Sequence, residues 1–76
     1  MNAYKAIATR ITNAEESFIQ YAMTVAPLSR AEAENALKVY RKVKAIKIDA
    51  IGGQFTFTHG AYGDAEVLKN TIGYKL

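Results

Sequence analysis

Few residues of this chain can do covalent chemistry. It holds one histidine, His59, and no cysteine, whereas a hydrolase or transferase needs a nucleophile, a base to activate it and usually a group to orient that base. His59 reads as a structural or surface residue at the end of a hairpin. The acids Glu15, Glu16, Glu32 and Glu34 read as helix caps and first-turn residues, without the ligand spacing of a metal site. The run GGQFTFTHGAYG at 52–63 is glycine-rich but lacks the lysine followed by serine or threonine that opens the helix after a phosphate-cradling loop. We therefore expect no enzyme, no cofactor and no metal. What the chain does carry is concentrated charge. Lys38, Arg41, Lys42, Lys44 and Lys47 fall within ten residues, and no acid interrupts positions 35–48. Net charge is +3, so with these five cations set aside the remainder carries −2. A cationic stretch on a slightly acidic remainder makes a local field that a phosphate backbone can use. A solvated helix face, with cations gathered at the negative end of the helix dipole, is the plainer alternative.

The elements that must position these charges belong to one small domain spanning residues 1–76. A chain this short leaves much of its surface in water, so a homodimer interface would help it. Half its residues are apolar and 22% are charged, which excludes a disordered chain, and no apolar run reaches the roughly 18 residues of a membrane span. MNAYKAIATRI lacks the apolar stretch of a secretory signal, and with zero cysteines the expectation is a cytoplasmic protein.

Periodicity predicts an α+β order. Tyr4, Ile7, Ile11, Ala14, Phe18, Tyr21 and Val25 fall in steps of three and four, which puts them on one helical face. TNAE and NAEE both fit a capping pattern, so a break is expected near Thr12 and Asn13, giving helices at about 3–11 and 14–25. One unbroken helix with a heptad seam, which would favour a coiled-coil dimer, is the alternative. Pro27 stops the second helix near Val25. SRAE then forms a capping box with Ser29 as cap, and Leu28 with Ala33 form a hydrophobic staple. That third helix, 29–44, should bury Ala33, Ala36, Leu37, Tyr40 and Val43. The period then drops to two. A hairpin 45–51/54–59 around a Gly52-Gly53 turn would pair Ala50 with Phe55, Ile48 with Phe57 and Ile46 with His59 on one face, leaving Lys47, Asp49, Thr56 and Thr58 on the other. Phe55 and Phe57 belong to the core, and Tyr62 and Tyr74 are less constrained. A last helix, 65–72, capped by Asp64, should bury Ala65, Leu68 and Ile72 and close at Gly73.

The segment LSRAEAENALKVYRKVKAIKID resembles the part of winged helix-turn-helix proteins in which a leucine-serine start opens the recognition helix, an alanine-leucine pair anchors it and a strand leads to the wing. The resemblance spans residues 14–59. It implies a small winged-helix-like DNA-binding protein, regulatory or architectural, with the third helix in the major groove and the wing on backbone or minor groove. By position, Arg30, Ala31 and Asn35 would approach bases, and Lys38, Arg41 and Lys42 would approach phosphates. Lys44 belongs to the same basic stretch, and Lys47 with the Ile51–Gln54 turn, Gln54 included, would form the wing. Glu32 and Glu34 depart from the pattern, since carboxylates there meet phosphates. Lys44 also stands where a glycine commonly closes the helix. The acids favour a second expectation, a phage-type accessory or inhibitor protein of the same fold that docks on a protein partner, for example a nucleic-acid-processing complex. The DNA expectation requires that Lys38, Arg41, Lys42 and Lys47 form one surface, not neutralised by Glu15, Glu16 or Asp64.

Overall fold

A computed structural model describes the backbone of residues 3–74 and the side chains from Ile11 onward. The chain is α+β, in the order α1 (Ala3–Val25), α2 (Arg30–Lys42), β1 (Ile46–Asp49), β2 (Gln54–Phe57), a 3-10 turn (Gly60–Gly63) and α3 (Ala65–Lys69). The expected break at Thr12 and Asn13 is absent, and α1 runs unbroken for 23 residues. Both residues are exposed. Each costs a few tenths of a kcal/mol against alanine, about 0.7 at most. The burial of Ala14, Phe18, Ile19 and Ala22 on the same helix outweighs that cost. The heptad face was partly right. Ala14 and Phe18 are buried and Tyr21 is half-buried, whereas Val25 is 39% exposed at the helix end. Tyr4 and Ile7 lie outside the residues whose side chains are described. Ile19 and Ala22 join the core because α1 is packed on two flanks, by α2 and by the hairpin, so its buried stripe is wider than one seam.

The α1–α2 junction follows the sequence closely. Leu28 N donates back to Ala22 O, Ser29 Oγ accepts from Glu32 N at 3.2 Å, and Glu32 Oε1 accepts from Ser29 N at 2.9 Å. Leu28 and Ala33, the staple pair, are both buried. At its other end α2 stops at Lys42, two residues earlier than expected. Lys44 N donates to Arg41 O and Ala45 N to Tyr40 O, the paired closing bonds of a Schellman motif. That motif needs a left-handed residue, and the chain puts Lys44 there at φ 59°. Val43, expected in the core, is consequently 46% exposed past the last turn.

The hairpin pairs Ile46 with Phe57, Lys47 with Thr56, Ile48 with Phe55 and Asp49 with Gln54, two residues away from the expected register. A shift of two preserves the faces, because side chains alternate with period two. The turn is longer than two glycines. Asp49 Oδ1 accepts from Ile51 N at 2.9 Å and Gly52 N at 3.0 Å, and Gly53 N closes the loop on Asp49 O at 2.8 Å. Gly53 supplies the left-handed conformation, at φ 69°. A Cβ on Gly52 would stand 2.5 Å from Asp49 Oδ2, so a side chain there would push the carboxylate off the loop. His59, expected opposite Ile46, lies beyond the strand, where its Nδ1 accepts from Ala61 N and caps the 3-10 turn.

Phe18 anchors the core, with ring centroids 5.4 Å from Tyr40, 5.5 Å from Phe55 and 6.3 Å from Phe57. Tyr40 Oη donates to Tyr62 O and Tyr21 Oη to Gly63 O, which ties the 3-10 turn to both long helices. Burial pushes the Tyr40 hydroxyl up to about 12, so it remains a donor. The last helix is shorter than expected. Leu68 is fully buried but Ile72 is 47% exposed, because after Lys69 the chain continues in successive tight turns. Asp64 occupies the cap position without a side-chain cap bond, and Gly73 does not take a positive φ.

The Schellman position carries a prediction. A left-handed conformation costs a residue with a Cβ about 1–2 kcal/mol, and glycine's extra unfolded-state freedom returns about 0.5–1 kcal/mol of that. Lys44→Gly should therefore stabilise the fold by roughly 0.5–1 kcal/mol in urea unfolding, and a lower midpoint would contradict this account of the turn.

Candidate nucleic-acid interface

The candidate site rests on α2, and the helix repeat sorts its side chains. At about 100° per residue, Ala33, Ala36, Leu37 and Tyr40 face inward and are buried. Arg30, Glu34 and Arg41 run along the edge beside α1, while Ala31, Lys38 and Lys42 share the outward face.

The edge beside α1 is an ion-pair seam. Arg30 meets Glu16 through two bonds, Nη2 to Oε1 at 2.7 Å and Nη1 to Oε2 at 2.8 Å. Its Nε stands 3.6 Å from Glu34 Oε2, and Gln20 Nε2 donates to the same Glu16 carboxylate at 2.9 Å. Arg41 Nη1 meets Glu15 Oε2 at 2.7 Å. Glu15, Glu16, Glu34, Arg30, Arg41 and the neighbouring Lys38 line a groove of about 420 Å³ that also includes Ile19 and Leu37. The Arg30 guanidinium, followed by the Gln20 amide, lowers the Glu16 carboxyl to about 2, and the same pairing raises Arg30.

The eight polar and charged residues named from the sequence therefore divide, while Ala31 is exposed on the outward face. Arg30 is paired with Glu16, and Arg41 with Glu15, so the requirement that the basic surface escape the α1 carboxylates fails at Arg41. Asn35 is half-buried and donates from Nδ2 to Thr71 O at 2.9 Å, which fastens the segment after α3 to α2. Lys38 and Lys42 are exposed on one helix face, and Lys44 is exposed at the left-handed turn. Lys47 is exposed on the outer face of the hairpin opposite Thr56, and Gln54 is exposed opposite Asp49. Among the described residues, none of these four lysines lies within ion-pair distance of a carboxylate.

Glu15 and Glu16, read from the sequence as first-turn caps and named as the acids that could neutralise the basic surface, take the second role: Glu15 holds Arg41 and Glu16 holds Arg30. A helix beginning at 14 would hold both in its first turn, where the dipole accounts for them. Within an unbroken α1 they sit mid-helix and have no dipole to complement. Their partners lie 14 and 26 residues away, beyond the reach of the i,i+4 rule. No group of three or more His, Cys, Asp or Glu side chains gathers to hold a metal among the described residues, and no helix there is long and apolar enough to cross a membrane. No family model, curated protein or solved structure matches the chain.

The Glu16 pairing is testable by pH. Because the folded value lies below the ordinary 4.5, the unfolded chain takes up this proton first as pH falls. The stabilisation is whole above pH 4.5 and drains away toward about pH 2. The gap in urea midpoint between the native chain and Glu16→Gln should shrink across that window. A gap independent of pH would show that the pair contributes nothing through its charge.

Proposed function

We propose that the protein is a small, non-enzymatic DNA-binding protein, regulatory or architectural, that holds duplex DNA by its phosphates through Lys38, Lys42, Lys44 and Lys47. One observation carries this reading: these lysines are exposed and, among the described residues, form no ion pair, whereas both arginines of the same helix are engaged by α1 carboxylates. Lysine contacts of this kind give affinity and orientation without sequence information. Arg30 would reach a base only by leaving Glu16, and Asn35 only by releasing Thr71. Binding indifferent to sequence is therefore the favoured form, with the recognition-helix role of the winged-helix resemblance reduced to phosphate contact.

Each phosphate neutralised on B-DNA adds roughly 0.9 to the slope of log affinity against log salt. Four contacts give a slope near −3.6 by the same arithmetic. Titration of a labelled random duplex at several salt concentrations should show that slope. Replacing Lys38, Lys42 and Lys47 together by alanine should remove about 2–3 units of it and leave the circular dichroism spectrum unchanged. Absence of duplex binding at low salt, or binding untouched by the triple change, would refute the assignment.

The mixed-charge groove between α1 and α2 favours a second reading, an accessory or inhibitor protein that docks on a protein partner. Its three acids and three cations present no single sign to a polyanion but can be matched by a protein surface of complementary pattern. Retention of a stoichiometric partner from nuclease-treated lysate, together with failure to bind duplex, would favour it.

A further inference from the structure

Ile51 is the feature that the phosphate-contact reading leaves unused. It stands at the tip of the hairpin with 83% of its surface exposed, the highest among the exposed large apolar residues. Burying such a side chain is favourable, so leaving it in water calls for an explanation in the loop or in a ligand. The loop offers none. Ile51 contributes only its amide, which donates to Asp49 Oδ1, and that bond is available to any residue with an N–H.

The tip is also built to be stiff and thin. Three amides, those of Ile51, Gly52 and Gly53, are bound to Asp49, so the backbone that presents the side chain is already ordered. Its loop neighbours are Ala50, Gly52 and Gly53, one methyl group among three residues. With Ile51 83% exposed, these chain neighbours supply no ring of the kind that excludes water around a protein–protein anchor. A narrow apolar point fits instead a slot about 6 Å wide, the minor groove of B-DNA, where apolar side chains wedge between base pairs and kink the duplex. Charge agrees: Lys47 stands on the outer face of β1, and Lys44 two residues before that strand. The one nearby acid, Asp49, has its carboxylate turned onto the loop amides.

We propose that Ile51 is such a wedge, inserted from the minor groove between adjacent base pairs of the duplex that the lysines hold, so that binding bends the DNA. The inference rests on the DNA-binding reading, and the experiment separates the two. A short random duplex with a flexible TA step is labelled at both ends for energy transfer and carries 2-aminopurine at that step. The intact protein should bind, shorten the end-to-end distance and raise 2-aminopurine fluorescence as the step unstacks. Ile51→Ala, whose thermal midpoint should be unchanged because the side chain is exposed, should still bind with affinity reduced on the order of tenfold and should lose both optical signals. Ile51→Phe, which keeps a wedge, should restore them. Binding without bending by the intact protein, or bending retained by Ile51→Ala, overturns the wedge while leaving phosphate contact standing. No binding to duplex at low salt overturns both.

Discussion

The whole arrangement depends on Phe18. Its ring is fully buried and touches one aromatic from α2 and two from β2, in tilted and edge-on geometry. A two-stranded hairpin alone is marginal in water, and this one has a four-residue register. It persists because Phe55 and Phe57 lie on α1, where the edges of their rings meet Phe18 and Tyr21. The same contact explains why α1 does not break at Thr12 and Asn13. A helix that must hold α2 on one flank and a hairpin on the other gains more from continuity through Ala14 and Phe18 than two poor helix formers cost.

Continuity of α1 then decides the electrostatics. Were a helix to begin at Ala14, Glu15 and Glu16 would serve its N-terminus, complementing the dipole. In mid-helix they are free to reach across to α2, and they take Arg30 and Arg41. These pairs are exposed, where solvent and salt screen a single pair and it contributes little. Their larger effect is on what remains available. Of the five clustered cations, the arginine is withdrawn into the seam, and the unpaired charge moves toward the C-terminal end of α2 and the first strand.

Local chemistry was legible in the sequence wherever a few neighbouring residues decide it. The Ser29–Glu32 box, the Leu28–Ala33 staple, the stop before Pro27 and the assignment of Phe55 and Phe57 to the core all follow from spacings of five residues or fewer. Misses arose where a distant or competing group decides. The hairpin turn was read from Gly52-Gly53, but Asp49 binds two loop amides and moves the closure outward, which shifts the register by two. The end of α2 was placed at Lys44, where a left-handed lysine closes the helix early. Of the site, the unpaired lysines were legible as a run of charge, while the engagement of Arg30, Arg41 and Asn35 was not, because each partner comes from another element.

The division between arginine and lysine follows from their chemistry. A guanidinium presents a planar fork that matches a carboxylate through two parallel bonds, as Arg30 does with Glu16, and it is weakly hydrated. An ammonium is a compact, strongly hydrated charge on a flexible stem, and gains less from a fixed partner. When carboxylates on α1 lie within reach of both types, arginine is the one captured. Lysines left in solvent retain mobility and hydration, which suits contacts that slide along a phosphate chain and suits base reading poorly. Under the proposed DNA-binding reading, a surface of this composition favours a ligand with repeated charge over one with a particular sequence, and the hairpin tip is the rigid, uncharged feature proposed to add a finer preference.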